Sequence, residues 1–382
     1  MDSINKLKLL SANMNLEAAE DYACSKNTSH QKSIHTYDAI LPNGKRIKLL
    51  KSLLSSVCKN NCLYCPFRAG RDFRRETFQP DEYAKIITNM YQAGIIQGAF
   101  ISSGITGSSI HVQDKLLETA EILRFKLHFN GYLHLKLMPG LEYAQVERSM
   151  QLADRVSLNL EAPNPKRLAM LAPEKSFKSQ LLRPLEWVEK IRRSQPNWKA
   201  WNNRWPSSAT QFVVGGAGES DVELLETTKY LYLKLGLSRA YFSPLRPFLD
   251  TPFENHEPIA LKRAQRLYQA SFLLRDYDFS LEDLCFDVDR NLPLEIDPKS
   301  AWAQRHLLMH PIEINRADKH ELMRIPGIGP KNAQAIQKAR RFHQFRDISE
   351  LGRLGISTKK AAPYILLSGR KPPLQLALFE RQ

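Results

Sequence analysis

Short apolar or alternating segments recur along the first two thirds of the chain, and amphipathic stretches separate them. Strands that alternate with helices are typical of an α/β fold with a parallel sheet. The pattern therefore predicts six consecutive strand–helix units. The predicted strands are residues 48–54, 98–102, 131–137, 155–160, 209–215 and 239–243. The predicted helices between them include residues 81–93, 114–126, 141–152 and 220–235.

Two of these strands have one polar and one apolar face. When strands close into a barrel, one face packs against the helices and the other faces the interior. We expect the apolar faces to point outward and the polar faces to line a lumen that holds a polar ligand. A one-sided antiparallel sheet facing water is the alternative. The polar positions are Tyr132, His134 and Lys136 in one strand and Ser157, Asn159 and Glu161 in the next.

Positive charge is concentrated in three segments. The 382 residues carry a formal charge of +15, and 43% of them are hydrophobic, which is typical of a folded protein. Residues 312–371 carry +8, residues 178–204 carry +5 and residues 59–75 carry +4. This clustering predicts a polyanionic partner, with nucleic acid as the leading candidate.

Membrane and secreted classes are not indicated. Residues 86–113 contain no charge, but polar side chains interrupt them, so they lack an apolar run of about 20 residues. The N-terminus has no long apolar core of the kind found in secretory signals. Five cysteines, three of them within eight positions, argue against a disulfide framework. We expect a reduced, cytoplasmic protein without a membrane partner.

The three clustered cysteines are Cys58, Cys62 and Cys65. Three thiolates in one short loop can surround a soft metal centre. A structural zinc site takes four protein ligands, and only distant Cys24 or Cys285 could add a cysteine. On a four-iron cluster, three cysteines leave one iron open to a small molecule.

The C-x3-C-x2-C spacing, with Tyr64 before the last cysteine, resembles the signature of radical S-adenosylmethionine (SAM) enzymes. The resemblance implies a 4Fe-4S cluster that binds S-adenosyl-L-methionine and cleaves it to methionine and a 5′-deoxyadenosyl radical, which abstracts hydrogen. It implies a partial (βα)6 barrel with its site at the C-terminal ends of the strands. It also implies that Tyr64 lies beside the adenine and that flavodoxin or ferredoxin donates the electron.

By the same resemblance, three segments match elements that bind SAM. The turn at 102–104 follows the second strand, where the family contacts the methionyl amino group. Residues 213–219 resemble the family's fifth-strand glycine motif, although Ala217 stands where many members have proline. The end of the 155–160 strand supplies a ribose contact by position. The implied residues are Ser102, Ser103, Gly104, Asn159, Gly215 and Gly216.

Other polar residues of the predicted barrel are candidates for contacts with substrate or SAM. Ordinary buried polar networks are the alternative role for each, and none is assigned as a catalytic proton donor or acceptor. These residues are His134, Lys136, Glu161 and Lys175.

The last third of the chain changes character. Residues 251–311 have helical periodicity, and we expect them to pack on the barrel as a connector. Residues 325–331 (IPGIGPK) lie between two predicted helices. They resemble the hairpin of helix-hairpin-helix domains in DNA-repair and DNA-uptake proteins. Gly327 and Gly329 permit a tight turn whose backbone N–H groups can bind phosphate, and Lys331 adds charge. Such contacts position a duplex without reading its sequence.

A second, degenerate copy of the hairpin occupies residues 345–367. Ser357 replaces the second glycine, and Lys359 and Lys360 follow it. This copy is interpreted as mainly structural, with a weaker phosphate contact. A helical domain that docks another protein is the alternative for the whole of residues 312–371.

The C-terminal tail and a tryptophan-rich segment give two weaker signals. The tail resembles the Q-L-x-L-F peptide by which bacterial replication and repair proteins bind the sliding clamp, and folding back on the domain is the alternative. Residues 187–205 place four tryptophans among cations, which suits either nucleic-acid contact or packing. The matching tail residues are Gln375, Leu376, Leu378 and Phe379.

The whole chain resembles radical SAM proteins assigned to DNA modification or repair and associated with a uracil-DNA-glycosylase-like partner. We expect a barrel with an N-terminal extension (1–250), a connector (251–311), a small all-α tandem helix-hairpin-helix domain (312–371) and a flexible tail (372–382). The predicted function is SAM-dependent modification or repair of a nucleotide in DNA. The alternatives are modification of tRNA and a non-catalytic iron–sulfur adaptor recruited to the clamp.

Overall fold

A seven-stranded sheet forms the centre of the first of two structural units. The computed structural model describes residues 3–12, 14, 36–40 and 46–373. The first unit comprises residues 1–219 and 230–264, and the second comprises residues 220–229 and 265–382.

The strands of the sheet follow one another in chain order, so each strand pairs with the next. Strands β2 to β7 are parallel, and β1 pairs antiparallel with β2. The sheet is a curled half-barrel. The strands are β1 (Thr36–Ile40), β2 (Arg46–Leu53), β3 (Gly98–Ser102), β4 (Tyr132–Lys136), β5 (Arg155–Ser157), β6 (Ser207–Val214) and β7 (Arg239–Pro244).

Helices follow the parallel strands, as strand–helix units require. Two segments with π-helical hydrogen bonding, Ile122–Lys126 and Phe177–Leu182, adjoin α3 and α6. The helices are α1 (Ser3–Ser11), α2 (Pro80–Gln92), α3 (Ser109–Glu121), α4 (Tyr143–Leu152), α5 (Pro165–Leu171), α6 (Arg183–Ser194) and α7 (Asp221–Leu235).

The six predicted strands and the α/β half-barrel are confirmed. In β4, Leu133 and Leu135 of the apolar face are completely buried, and Lys136 of the polar face lines a cavity, as predicted. Strand β5 ends at Ser157, so Asn159 and Glu161 follow this strand and do not lie within it as predicted. Strand β1 and helices α5 and α6 were not predicted. Helix α3 begins five residues before the predicted start, at Ser109, where the Ser108 side chain accepts a hydrogen bond from the backbone N–H of His111.

Short helices around one apolar core form most of the second unit. Strands β8 and β9 pair with each other, and the four hairpin helices lie between them in the sequence. The elements are α8 (Leu261–Asp276), α9 (Pro298–His306), β8 (Ile312–Glu313), α10 (Lys319–Arg324), α11 (Pro330–Ala339), α12 (Ile348–Arg353), α13 (Thr358–Ala361) and β9 (Ile365–Leu366). The predicted C-terminal helical region is confirmed, but the region is not all-α, because β8 and β9 pair within it.

The segment expected to connect the two domains is divided between the units. Residues up to Ala264 cluster with the barrel, whereas residues from Gln265 onward cluster with the hairpin helices. The Lys299 ammonium donates a hydrogen bond of 2.6 Å to the Ile328 carbonyl of the hairpin, and Trp302 packs against the hairpin core. These contacts are local to the second unit, so most of the expected connector belongs to the helical core.

In the described part of the chain, none of the helices has the length and apolar character needed to span a membrane.

Candidate active site

The cysteine loop leaves β2 at the C-terminal edge of the sheet. Cys58, Cys62 and Cys65 line one cavity, with Cys62 buried and the other two half-buried. The loop is tied to its neighbours by backbone hydrogen bonds, including one of 2.8 Å from the Leu63 N–H to the Leu171 carbonyl. The three thiols are therefore held on one wall of a common cavity, as the spacing predicts.

These thiols do not converge on a single point. Among the described residues, no three His, Cys, Asp or Glu side chains are placed to hold one metal ion. A four-iron cluster offers a separate iron to each cysteine, so its ligands need not converge.

Gly104 allows the turn after β3 to approach the cysteine loop. A Cβ added at Gly104 would lie 2.3 Å from the Val57 carbonyl oxygen and 3.2 Å from the Cys58 Cβ. The Gly104 N–H donates a 2.7 Å hydrogen bond to the Ser55 carbonyl, and the Lys59 N–H donates one of 2.8 Å to the Ile105 carbonyl. Only a residue without a side chain permits this contact, so Gly104 fixes the position of the first cysteine.

The cavity is partly continuous with solvent. Two polar pairs lie within it. The Lys136 ammonium donates a 2.5 Å hydrogen bond to the Asn159 side-chain oxygen, and the Lys175 ammonium pairs at 3.1 Å with Oε1 of Glu161.

Glu161 has an unusual backbone and an uncommitted carboxylate oxygen. Its φ is 65°, in the left-handed region that side chains rarely adopt. The conformation is held by backbone hydrogen bonds to β6, one from the Glu161 N–H to the Gln211 carbonyl and one from the Val213 N–H to the Glu161 carbonyl. The residue is 5% exposed, and its Oε2 has no hydrogen-bond partner among the described residues. Backbone strain of this kind clusters at functional sites.

The titratable groups of this wall influence one another. Burial lowers the pKa of Lys175, but the nearby Cys62 and Glu161 outweigh burial and raise that pKa above its usual value. Burial raises the pKa of Tyr64 well above its usual value, and the Glu161 carboxylate raises it further. Burial likewise raises the pKa of Cys65. The ammonium of Lys175 therefore stays charged beside the cysteines.

Most of the residues predicted for the barrel site line this cavity. The structure brings together Cys58, Cys62, Tyr64, Cys65, Ser102, Ser103, Gly104, Lys136, Asn159, Glu161 and Lys175.

Three predicted site residues lie elsewhere. His134 is fully buried, 2.8 Å from the Ser157 hydroxyl, and stacks on Phe100. A Cβ at Gly215 would lie 2.4 Å from the Ile259 side chain, and one at Gly216 would lie 2.8 Å from the Leu171 side chain. These three residues serve packing in the structure and do not line the cavity.

The remaining lining residues had no distinctive signal in the sequence. Phe67 follows the cysteine loop directly, which could have singled it out. Met138 and Gln211 follow from the positions of β4 and β6, but only once the exact strand ends are known. Arg246 and Phe248 lie in the loop after β7, which was not assigned a role.

The first hairpin has the geometry that its sequence predicts. Gly327 has a φ of 85°, where a glycine is needed. Gly329 precedes the first turn of α11, and Lys331 is exposed in that turn.

The second hairpin packs beside the first. A Cβ at Gly327 would lie 3.1 Å from the Ser357 carbonyl oxygen and 3.4 Å from the Lys360 Cβ. Lys359 and Lys360 are both exposed. The two copies therefore present their lysines on neighbouring elements.

The tryptophan-rich segment mainly packs. Trp187 contacts Tyr143 edge-on, Trp201 lies over Arg124 at 4.2 Å, and the Trp205 indole donates to the Gln195 carbonyl. Trp198 is 71% exposed. The four tail residues predicted to bind the clamp lie outside the described residues.

Comparisons with known proteins agree with these two regions. The family model described as the radical SAM superfamily matches residues 52–231, and that described as a helix-hairpin-helix motif matches residues 309–362. No curated protein matches the chain significantly.

Several solved structures resemble part of the chain. The FeFe-hydrogenase maturase HydG from Carboxydothermus hydrogenoformans is 16% identical in sequence, with a TM-score of 0.46. The match includes 59% of this chain and 51% of the HydG chain. Methylornithine synthase (PylB) is 12% identical in sequence, with a TM-score of 0.47. The match includes 59% of this chain and 62% of the PylB chain. The chain thus spans between half and two thirds of the length of these proteins.

Proposed function

We propose that this radical SAM enzyme acts on a nucleotide in DNA, either to modify it or to repair it. One observation carries the proposal: the same chain contains a cysteine-lined cavity in a half-barrel and a glycine hairpin with exposed lysines. The hairpin binds the polymer through its phosphates, and the cavity receives the reacting nucleotide. The charge of +8 on residues 312–371 supports a polyanionic partner for the hairpin domain.

The residues of the cavity fit a 4Fe-4S cluster and SAM. Cys58, Cys62 and Cys65 would hold the cluster, and Glu161 offers an unsatisfied buried acceptor to a bound ligand. When bound, the two cofactors supply the radical chemistry. The protein orients the reacting groups and excludes water.

The position of the cysteines inside the cavity restricts the form of the DNA. A base inside a duplex cannot enter a cavity at the end of a barrel, so the target nucleotide must be extrahelical or single-stranded. The hairpin glycines Gly327 and Gly329 leave duplex DNA and structured RNA both possible, because phosphate contacts do not distinguish them. We favour DNA because the hairpin resembles those of DNA-repair proteins.

The test is an anaerobic assay of the reduced holoenzyme with SAM. We expect 5′-deoxyadenosine to form faster with damaged or native DNA than without it, and much faster than with tRNA. Stimulation by tRNA alone would favour the RNA alternative. No formation under any condition would favour a non-catalytic iron–sulfur adaptor, whose DNA binding would survive the loss of the cluster.

The partners and location complete the proposal. We propose that the tail residues bind the sliding clamp, that a uracil-DNA-glycosylase-like protein acts in the same process, and that flavodoxin or ferredoxin supplies the electron in the cytoplasm. Clamp pull-down by the wild type, but not by a Gln375→Ala/Phe379→Ala variant, would support the first point. Equal retention of both proteins would contradict it.

A further inference from the structure

We propose that the mouth of the cavity is a phosphate-binding rim that holds the DNA backbone beside the nucleotide inserted into the cavity. The proposal rests on the proposed function and deepens it. The rim is defined by Arg68 and Arg71, which belong to the segment that follows the cysteines.

Hydrogen bonds tie both arginines to the cavity lining or to residues next to it. The Arg71 guanidinium donates hydrogen bonds of 2.8 Å to the Pro66 carbonyl and 2.9 Å to the Leu249 carbonyl. Pro66 lines the cavity, and Leu249 follows the lining residue Phe248. Arg68 follows the lining residue Phe67 and donates through Nε to the Asn61 side-chain oxygen at 2.9 Å. Asn61 lies between the lining residues Asn60 and Cys62, so both guanidinium groups are held against the segments that form the cavity wall.

The positive charge of the rim has no counter-ion in the described part of the chain. No carboxylate among those residues forms an ion pair with Arg68 or Arg71, and their acceptors are neutral oxygens. Each guanidinium also has at least one nitrogen atom that donates to no acceptor among the described residues. Neutral acceptors fix the geometry of a guanidinium without neutralising it, so both groups can still bind an anion.

A third arginine holds the rim in shape. Arg75 donates hydrogen bonds to the carbonyls of Ser56, Phe67, Arg68 and Arg71, and its guanidinium stacks on Phe73 at 4.1 Å. It thus joins the start of the cysteine loop to both rim arginines. Arg75 is a positioning residue, because its donors are engaged with the backbone.

The interior of the cavity, unlike the rim, does not favour a phosphate. Its walls are largely apolar and include the half-exposed rings of Phe67 and Phe248. Both lysines of the cavity already have polar partners, and Arg246, the other cation of the lining, is exposed to solvent, whereas Oε2 of Glu161 is an unsatisfied acceptor. A phosphate placed there would face this carboxylate, whereas a nucleobase brings N–H donors and a ring that stacks on aromatic side chains. The cationic rim therefore favours phosphates at the mouth, and the apolar interior with its unsatisfied acceptor favours a nucleoside inside the cavity.

Salt-dependent binding of a single-stranded DNA oligonucleotide to the holoenzyme tests the rim. For single strands, the slope of log K against log salt changes by about 0.7 for each phosphate contact. We expect an Arg68→Gln/Arg71→Gln variant to have a slope about 1.4 smaller than that of the wild type. Arg74→Gln is the matched control, because Arg74 lies in the same segment but pairs with Glu76 at 3.1 Å. Equal iron content of all three proteins verifies that the cysteine loop is intact.

Three results would overturn the proposal. The slope could stay unchanged in the double variant, it could fall equally in the control, or it could fall only with an RNA oligonucleotide of the same sequence. Production of 5′-deoxyadenosine separates this proposal from the proposed function. If DNA stimulates the wild type and the double variant keeps the wild-type KM for the oligonucleotide, only the rim is refuted. If the slope falls but DNA never stimulates the wild type, the rim binds phosphate and the nucleotide target is refuted.

Discussion

His134 illustrates what strand periodicity can and cannot predict about a single residue. It shares a face of β4 with Lys136, as the alternation predicts, yet only Lys136 reaches the cavity. Alternation identifies the face on which a side chain lies but not its depth along the barrel. His134 lies one step deeper, where burial lowers its pKa well below its usual value and the positive charges of Arg155 and Lys136 lower it further. The imidazole is therefore neutral and structural.

Gly104 gives a direct test of the cysteine loop. A Gly104→Ala substitution places a Cβ against the Val57 carbonyl, 2.3 Å away in the present geometry, so the loop must shift. We expect the variant to fold but to retain less than half of the wild-type iron after anaerobic reconstitution. Gly352→Ala is the control, because its Cβ would meet only Thr358 at an ordinary 3.5 Å. Full iron content in the Gly104 variant would contradict the prediction.

Lys299 predicts a pH dependence of the hairpin core. Burial lowers the pKa of Lys299 to about 7; Arg324 also lowers it, although Asp297 raises it. In an unfolded chain the pKa of lysine is about 10.4. Between these two values the unfolded state binds a proton that the folded state does not, so the free energy of unfolding rises with pH.

We therefore expect the wild type to gain about 2 kcal/mol more than a Lys299→Met variant between pH 7.5 and 9.5. Pulse proteolysis in urea, with peptides from α9 and α11 quantified, measures this difference. Lys338→Met, at an exposed position of α11, should behave as the wild type does. Parallel pH profiles for wild type and Lys299→Met would refute the assignment.

At the scale of elements, strands β2 to β7 were predictable, whereas β1, α5 and α6 were not. Strands β2 to β7 have apolar faces that are almost completely buried, so their periodicity is strong. Strand β1 alternates weakly and pairs only at the sheet edge. Helix α5 spans only seven residues, too few for a clear helical period. The π-helical segment Ile122–Lys126 is tied down by tertiary contacts, because Arg124 within it donates to the Leu152 carbonyl at 3.0 Å and to the Asp154 carboxylate at 2.8 Å. No local pattern encodes these contacts.

The two hairpins can be separated by charge. Lys331 lies at the first hairpin, and Lys359 and Lys360 lie at the second. If both hairpins contact phosphates, Lys331→Gln should lower the salt slope for duplex DNA by about 0.9. Lys359→Gln/Lys360→Gln should lower it by about 0.9 to 1.8. No change in the second variant would show that the second copy is purely structural, and Lys338→Gln provides the matched control.

At the scale of the whole molecule, the chain consists of two units with separate cores. The sequence predicted both units from their motifs, but it assigned residues 265–311 to the barrel side. Amphipathic periodicity shows that a helix is buried on one face, but it does not show against which core. The buried ammonium of Lys299 bonds to the hairpin and so assigns this segment to the hairpin core. No local sequence pattern predicts that bond.

Separate cores predict separable functions. A Cys58→Ala/Cys62→Ala/Cys65→Ala variant should lose its cluster iron and its SAM cleavage. Its affinity for duplex DNA should stay within about twofold of the wild type, because the hairpin core contains none of these residues. Iron analysis and fluorescence anisotropy with labelled duplex provide the measurements. A large loss of duplex affinity would show that the cluster supports the binding surface.

The glycine hairpin around Gly327 has a consequence for how the enzyme would find its target. Backbone N–H groups and lysines bind every stretch of duplex alike, so this surface anchors the protein without selecting a site. Proteins held by such contacts slide and hop along DNA. Recognition would then depend on how often a nucleotide unstacks while the enzyme is bound. The hairpin keeps the enzyme on the polymer, and each unstacked nucleotide can enter the cavity. Nucleotides that unstack readily would be sampled most often, whatever the sequence around them.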